Sequence, residues 1–236
     1  AETRLYSSQR ASKVLQDLRE IEKKYFPDYV HFIDNAVTPA FLKSLSTQKF
    51  GFKWYGFVRF EKELLDPGFC LELKNSGCSM LKLGLESGDQ SVLDKMNKGT
   101  DLNQVSVILK NLNNAGILTF VYLLFGTSFE DEKAALKTLE YIKDHKAYID
   151  YLNLAVFNLP KFSEDARNLE TQEFYHGDLS LYLNFTHPYG WDRRKVKRFI
   201  DKLFKKQVLP GSRIRKNPAF FSSNHAAFFQ SQENKI

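Results

Sequence analysis

Cysteine is nearly absent from this 236-residue chain, which contains only Cys70 and Cys78. Two thiols cannot build a disulfide framework, and their wide spacing matches no usual zinc or redox pattern. They read as reduced side chains that pack like small apolar groups. Long hydrophobic runs are lacking too. The longest, residues 117–125, falls far short of the ~18–20 residues a membrane span needs, and the polar start has no signal-peptide hydrophobic core. No membrane partner is expected, and the expected compartment is the cytosol. There is no G-x-G-x-x-G after a strand and no P-loop, so a dinucleotide fold or an NTPase would lack its phosphate cradle. The nucleophile elbow G-x-S-x-G is missing as well. The five histidines, His31, His145, His176, His187 and His225, are scattered without metal-ligand spacing. Nor is there any low-complexity tract of the kind that keeps a chain unfolded.

What is present is alternation. Between residues 29 and 157, short runs rich in Val, Ile, Leu, Phe and Tyr alternate with stretches of helical periodicity, the pattern of βαβ units around a parallel sheet. Five strands are predicted, at 29–33, 53–60, 80–85, 117–125 and 150–157. Several are apolar throughout, as strands covered on both faces should be. Thr38 followed by Pro39 reads as an N-cap with proline at the first helical position, and Asp101 caps a helix that Gly116 closes. Ser128 with Asp131 reads as a third helix start of capping-box type. Ahead of the first strand, residues 8–25 predict a helix with Val14, Leu15, Leu18 and Ile21 on one face. A helix with no strand before it is odd in a βα array, so one strand is expected to be missing upstream.

After Pro160 the pattern changes. Residues 161–190 are polar and aromatic without a period, and 191–207 predict an amphipathic helix with Val196, Phe199, Ile200, Leu203 and Phe204 as its stripe. The tail carries Phe220, Phe221, Phe228 and Phe229, enough aromatics to pack. Residues 1–160 are therefore read as one α/β unit and 161–236 as a helical accessory region. The net charge of +6 is unevenly placed: the segment 193–216 holds eleven Lys or Arg and one acid, Asp201. Such a block suits either a solvated helix face or a polyanion such as RNA or DNA.

In parallel α/β barrels, polar side chains at the C-terminal ends of strands face the active-site mouth. Asp34 and Asn35 end the first predicted strand. Glu86 and Ser87 end the third, between Gly84 and Gly88, two glycines that let backbone approach a ligand. A carboxylate so placed can accept hydrogen bonds from an amine or from a pair of ribose hydroxyls.

The run Gly77-Cys78-Ser79-Met80-Leu81-Lys82-Leu83-Gly84-Leu85-Glu86-Ser87-Gly88-Asp89-Gln90, followed by Val92-Leu93 and Asn97-Lys98-Gly99-Thr100, resembles the middle of radical S-adenosylmethionine enzymes. Within them it is most similar to the large group that often carries a cobalamin-binding domain and includes methylthiotransferases and methyltransferases. Phe32 to Asn35, Arg59, and Ala115-Gly116-Ile117 with the strand to Gly126 extend the resemblance over roughly residues 8–160. It implies a partial (β/α)6 barrel, TIM-like and here without its first strand, that binds S-adenosylmethionine beside a [4Fe–4S] cluster and generates a 5′-deoxyadenosyl radical. By the same resemblance Glu86 with Ser87 holds the ribose, Asp34 and Asn35 the amino group, and Arg59 the carboxylate. Ala155, Val156 and Phe157 line the adenine. Cobalamin is a further implied cofactor, and the substrate can be a small molecule, a peptide or RNA.

Two departures stand against the resemblance. After Gly126 the family usually has Pro-Gly-Glu, whereas this chain reads Thr127-Ser128-Phe129-Glu130. The cluster loop C-x3-C-x2-C is absent, so no residue here is read as a metal ligand; the loop is expected upstream, and the chain alone is expected to be inactive. The alternative reading is a non-catalytic barrel relative whose basic C-terminal region binds nucleic acid.

Overall fold

Strands that are apolar on both faces need cover on both, and the chain supplies it from two different sources. The computed structural model describes residues 9–174, 180–210, 214 and 224–229. Helix α1 (Ala11–Tyr25) leads into β1 (Tyr29–Phe32), α2 (Pro39–Ser46), β2 (Lys53–Val58), α3 (Pro67–Asn75), β3 (Cys78–Glu86), α4 (Gln90–Lys95), α5 (Leu102–Asn114), β4 (Leu118–Phe125), α6 (Glu132–His145) and β5 (Tyr151–Val156). The five strands pair in parallel in the order β1-β2-β3-β4-β5. A doubly wound sheet reverses direction at its middle. A sequential order with right-handed crossovers puts every helix on one face, the winding of a (β/α) barrel. The five predicted strands are these five, with ends shifted by a few residues.

Alternation along each strand divides the two faces. Trp54, Val58, Leu81, Leu83, Val121 and Leu123 point to the helices and form the main core with Leu42, Leu73, Leu109 and Ile142. Tyr55, Met80, Phe120 and Tyr151 point the other way, toward the barrel interior, and gather around Ala226. The helix starts are side-chain caps. Thr38 accepts from the Phe41 amide at 3.3 Å and Asp101 from the Asn103 amide at 2.8 Å. The predicted start at Ser128 is corrected: Asp131 accepts from the Ala134 amide at 2.8 Å and the helix begins at Glu132. Residues 127–130 are taken up instead by a turn in which the Glu130 amide donates to the Thr127 carbonyl. In α1 Leu18 is buried and Ile21 is exposed, so the predicted stripe is only partly covered. Ser8, its predicted start, lies outside the described residues.

The C-terminal part is not only helical, contrary to expectation. Strands β6 (Leu159–Pro160), β7 (Thr171–Glu173) and β8 (Tyr182–Phe185) form a small antiparallel sheet in the order β6-β8-β7, with the short helix α7 (Asp165–Asn168) between β6 and β7. Strands of two to four residues are too short to show a period. Asp192 then caps α8 (Arg193–Phe199), accepting from the amides of Arg194 and Lys195, and a π-helical stretch (Ile200–Phe204) and α9 (Lys205–Val208) continue it. Val196, Phe199, Ile200, Phe204 and Val208 are buried. The rings of Phe199 and Phe204 lie 5.8 and 5.4 Å from that of Phe125, which docks this helix on the end of β4. Arg193, Arg194, Lys197, Lys205 and Lys206 are exposed on its other side. His176, Phe220 and Phe221 lie outside the described residues. No described helix is long and apolar enough to cross a membrane.

Candidate functional site

The C-terminal end of β3 is shaped by its inward row, Met80, Lys82, Gly84 and Glu86. The register to β4 shifts between Gly84 and Glu86, and Glu86 takes a left-handed backbone conformation, φ 67°. A non-glycine residue held there costs about 1–3 kcal/mol and is more usual at functional sites than in plain scaffold. Gly84 is needed beneath it. A Cβ at that position would meet Phe57 Cζ and Glu86 Oε1, each at 3.1 Å. The rings of Phe57 and Tyr122, 5.6 Å apart edge to face, meet across the gap.

Above these rings lies a cleft of about 500 Å³ lined by Asn35, Arg59, Gly84 and Glu86 and by the loop 97–100. Three residues predicted from separate strands are thus brought together. Glu86 pairs with Lys98 Nζ at 3.2 Å, while Arg59, exposed on the same cleft, forms no ion pair with a described residue. The cleft therefore offers a carboxylate, an amide and two cations, a set suited to a polar zwitterionic ligand.

The other predicted residues lie elsewhere. Asp34 lines a neighbouring cleft of about 440 Å³ with Phe32, Val37, Thr38 and Phe41, so one step along the chain separates it from Asn35. Ser87 is fully buried, its hydroxyl 3.2 Å from Thr138 Oγ1 and accepting from the Asp89 amide at 3.1 Å. It ties the strand end to α6 instead of facing the cleft. Gly88 serves the same packing, because a Cβ there would lie 2.8 Å from Thr138 Cα. Ala155 is half-buried on β5. Val156 and Phe157 line a small cavity of about 40 Å³ with Gly126, Phe185, His187 and Trp191.

Around that cavity sits a constellation the sequence did not suggest. Glu130, 1% exposed, accepts from the Gly126 amide at 2.6 Å and from the Trp191 indole at 3.1 Å, both at Oε2. Its Oε1 has no hydrogen-bond partner among the described residues. Burial pushes its pKa up to about 7 against the pull of those two donors, with smaller help from Asp131 and Asp89. His187 accepts at Nδ1 from the amides of Tyr189 and Trp191, so its proton sits on Nε2 and is donated to the Thr127 carbonyl at 2.9 Å. Burial holds it neutral by lowering its pKa. Glu130 and His187 together fasten the accessory part to the loop after β4. Lys98 was also missed as a site residue. It stood in the run Asn97-Lys98-Gly99-Thr100 without a role, and the structure holds it between Asn97 and Gly99, which both take positive φ.

Both cysteines are buried, Cys70 in α3 and Cys78 at the start of β3. Burial pushes the Cys70 thiol up to about 12 and raises that of Cys78 as well. A [4Fe–4S] cluster takes more closely placed thiolates than these two buried side chains offer. Among the described residues, no group of three or more His, Cys, Asp or Glu could hold a metal. The residues present therefore do not fit a [4Fe–4S] cluster.

No protein-family model matches the chain. It is 26% identical over 153 residues, 60% of its length, to the bacteriochlorophyllide d C-12(1)-methyltransferase of Chlorobaculum tepidum, of which it covers 31%. Among solved structures it superposes on the radical S-adenosylmethionine methyltransferase TsrM from Kitasatospora setae, which holds cobalamin and a [4Fe–4S] cluster, with a TM-score of 0.54 and 14% identity over 64% of this chain and 30% of that one. Coproporphyrinogen III oxidase HemN from Escherichia coli, a radical SAM enzyme, gives 0.52 and 15% over 67% and 40%. The cobalamin-dependent S-adenosylmethionine radical enzyme OxsB gives 0.53 and 11% over 100% of this chain and 33% of its own. The chain spans about a third of the length of these proteins. Its fold is that of radical S-adenosylmethionine enzymes, as the resemblance in the sequence implies.

Proposed function

We propose that residues 1–160 form the S-adenosylmethionine-binding part of a radical S-adenosylmethionine enzyme, with residues 161–236 as an accessory region whose helix α8 packs on the ends of β4 and β5. The observation that carries this is Glu86, held at positive φ at a strand end and facing Asn35 and Arg59 across one cleft. In this reading the Glu86 carboxylate accepts the two ribose hydroxyls, Arg59 pairs with the methionyl carboxylate, and Asn35 takes the amino group with Asp34 beside it. Ala155 to Phe157 are assigned to the adenine by the sequence resemblance alone, since they do not line this cleft. Lys98, now on Glu86, shifts to admit the ligand. Methyl transfer is the favoured reaction type, because the curated relative and TsrM are both methyltransferases by name. The cluster that radical cleavage requires needs thiolates that these residues do not supply, so the chain by itself does not cleave S-adenosylmethionine.

The test is calorimetric titration of the chain with S-adenosylmethionine and S-adenosylhomocysteine. Glu86→Gln removes a charge-assisted acceptor worth about 1.5–3 kcal/mol, a loss of roughly 10- to 100-fold in affinity. Saturable binding weakened by that amount supports the reading. Equal binding by the folded variant, or none by the unaltered chain, removes it and leaves Glu86 as a partner of Lys98 alone.

A further inference from the structure

Below the Phe57–Tyr122 rings the barrel interior contains a cation that the cleft above does not use. Lys82 lies mid-strand on the inward row of β3 and is 7% exposed. Its Nζ is 2.7 Å from His31 Nε2 and 3.4 Å from Asn224 Oδ1, and no carboxylate among the described residues pairs with it. Lysine keeps its proton far more firmly than histidine. The ammonium is therefore the donor, His31 is a neutral acceptor, and the imidazole proton sits on Nδ1. Burial alone pulls the Lys82 pKa down, and burial with the Lys82 charge lowers that of His31. The ammonium also lies 6.0 Å from the centroid of the Tyr55 ring, but a buried charge held by neutral groups alone is costly unless a counter-charge joins it.

The surroundings make this a shaped site. His31 is stacked on Tyr55, with centroids 4.4 Å apart and planes 6° from parallel. Tyr29, two residues before His31 on the same side of β1, has a buried hydroxyl with no partner among the described residues. The floor is closed by the C-terminal segment: Tyr55 Oη donates to the Asn224 carbonyl at 2.7 Å, and Tyr151 Oη donates to that of Ala226 at 3.3 Å. Among the described residues β1 is the edge strand of the sheet, and His31 is half-buried there.

We propose that Lys82 and His31 form an anion site in the barrel interior that binds the carboxylate of a small molecule whose flat apolar part lies against the Tyr55, Phe57 and Tyr122 rings. The carboxylate takes the ammonium as its ion pair, and the His31 ring turns to donate its Nδ1 proton or stays stacked beside it. That this molecule is the enzyme's substrate rests on the function proposed above. That a carboxylate binds there does not.

The probes are benzoate and its neutral isostere benzamide, added to the full 236-residue chain with 13C-labelled histidine and followed by NMR, the His31 signal being assigned with His31→Gln. Benzoate should shift the His31 ring signals saturably and benzamide should not. Lys82→Met, which keeps the stem and removes the charge, should weaken benzoate binding about 10- to 100-fold, and Lys82→Arg should largely retain it. Glu86→Gln should leave it unchanged, which separates this site from the S-adenosylmethionine cleft. Identical responses to benzoate and benzamide, or wild-type benzoate affinity in folded Lys82→Met, would overturn the proposal. Should Lys82→Met fail to fold, the contrast between the two probes in the unaltered chain decides alone.

Discussion

Replacing Glu130 by glutamine should make the chain more stable at alkaline pH. In the folded state the carboxyl group is buried and titrates near 7, while in the unfolded chain it titrates at the ordinary 4.5. Between those values the folded state retains a proton that the unfolded state has lost, so stability falls as pH rises. The favourable contribution is complete below 4.5 and is lost as pH passes 7. At ~1.4 kcal/mol for each pH unit, the gap amounts to about 3 kcal/mol. Glutamine resembles the protonated form: its amide oxygen can accept from Gly126 and Trp191 in the place of Oε2, and its NH2 takes the place of Oε1. Urea unfolding of wild type and Glu130→Gln at pH 5, 6, 7 and 8 gives two curves whose difference cancels the other titrating groups, His187 included. The variant should gain about 2.5 kcal/mol on wild type between pH 5 and 8, some 5–10 °C in Tm for a chain of this size. Parallel curves across that range would refute the reasoning and place the Glu130 pKa near its ordinary value.

Gly88→Ala should destabilise by about 1–3 kcal/mol in urea melts, since its Cβ would fall 2.7 Å from Tyr141 Cβ and 2.8 Å from Thr138 Cα; an unchanged midpoint would show that α6 moves freely. Both thiols should resist a thiol-reactive dye in the native state and react on unfolding, given their burial and raised pKa values, and fast native labelling at pH 8 would contradict this. Anaerobic reconstitution with iron and sulfide should yield no stoichiometric [4Fe–4S] absorbance; a full cluster spectrum lost on mutating either cysteine would overturn it.

The five parallel strands could be read from the sequence because the inner ones, β2 to β4, are buried at nearly every residue, and two-sided burial writes a short apolar run into the chain without any need for partners. Thr38 and Asp101 could be read as caps for a similarly local reason: a cap acts on amides two or three residues away. Ser128 failed as a cap although it has the right side chain, because the turn at 127–130 and the reach of Asp131 to Ala134 decide which oxygen meets a free amide. The antiparallel sheet of the accessory part was hidden, its strands being too short for periodicity and paired over distances no window spans. Glu86 was readable as a site residue from its flanking glycines and the run around it. That it faces Asn35 and Arg59, that Asp34 turns to another cleft, and that Lys98 arrives from a loop twelve residues on are consequences of strand register and loop closure, which place side chains from separate segments in one volume. Lys82 shows the division most plainly. In sequence it is one lysine within an apolar strand, indistinguishable from a solvent-facing residue, and only the alternation of β3 toward the inner face of the sheet, with His31 from β1 and Asn224 from far along the chain, makes it a buried cation.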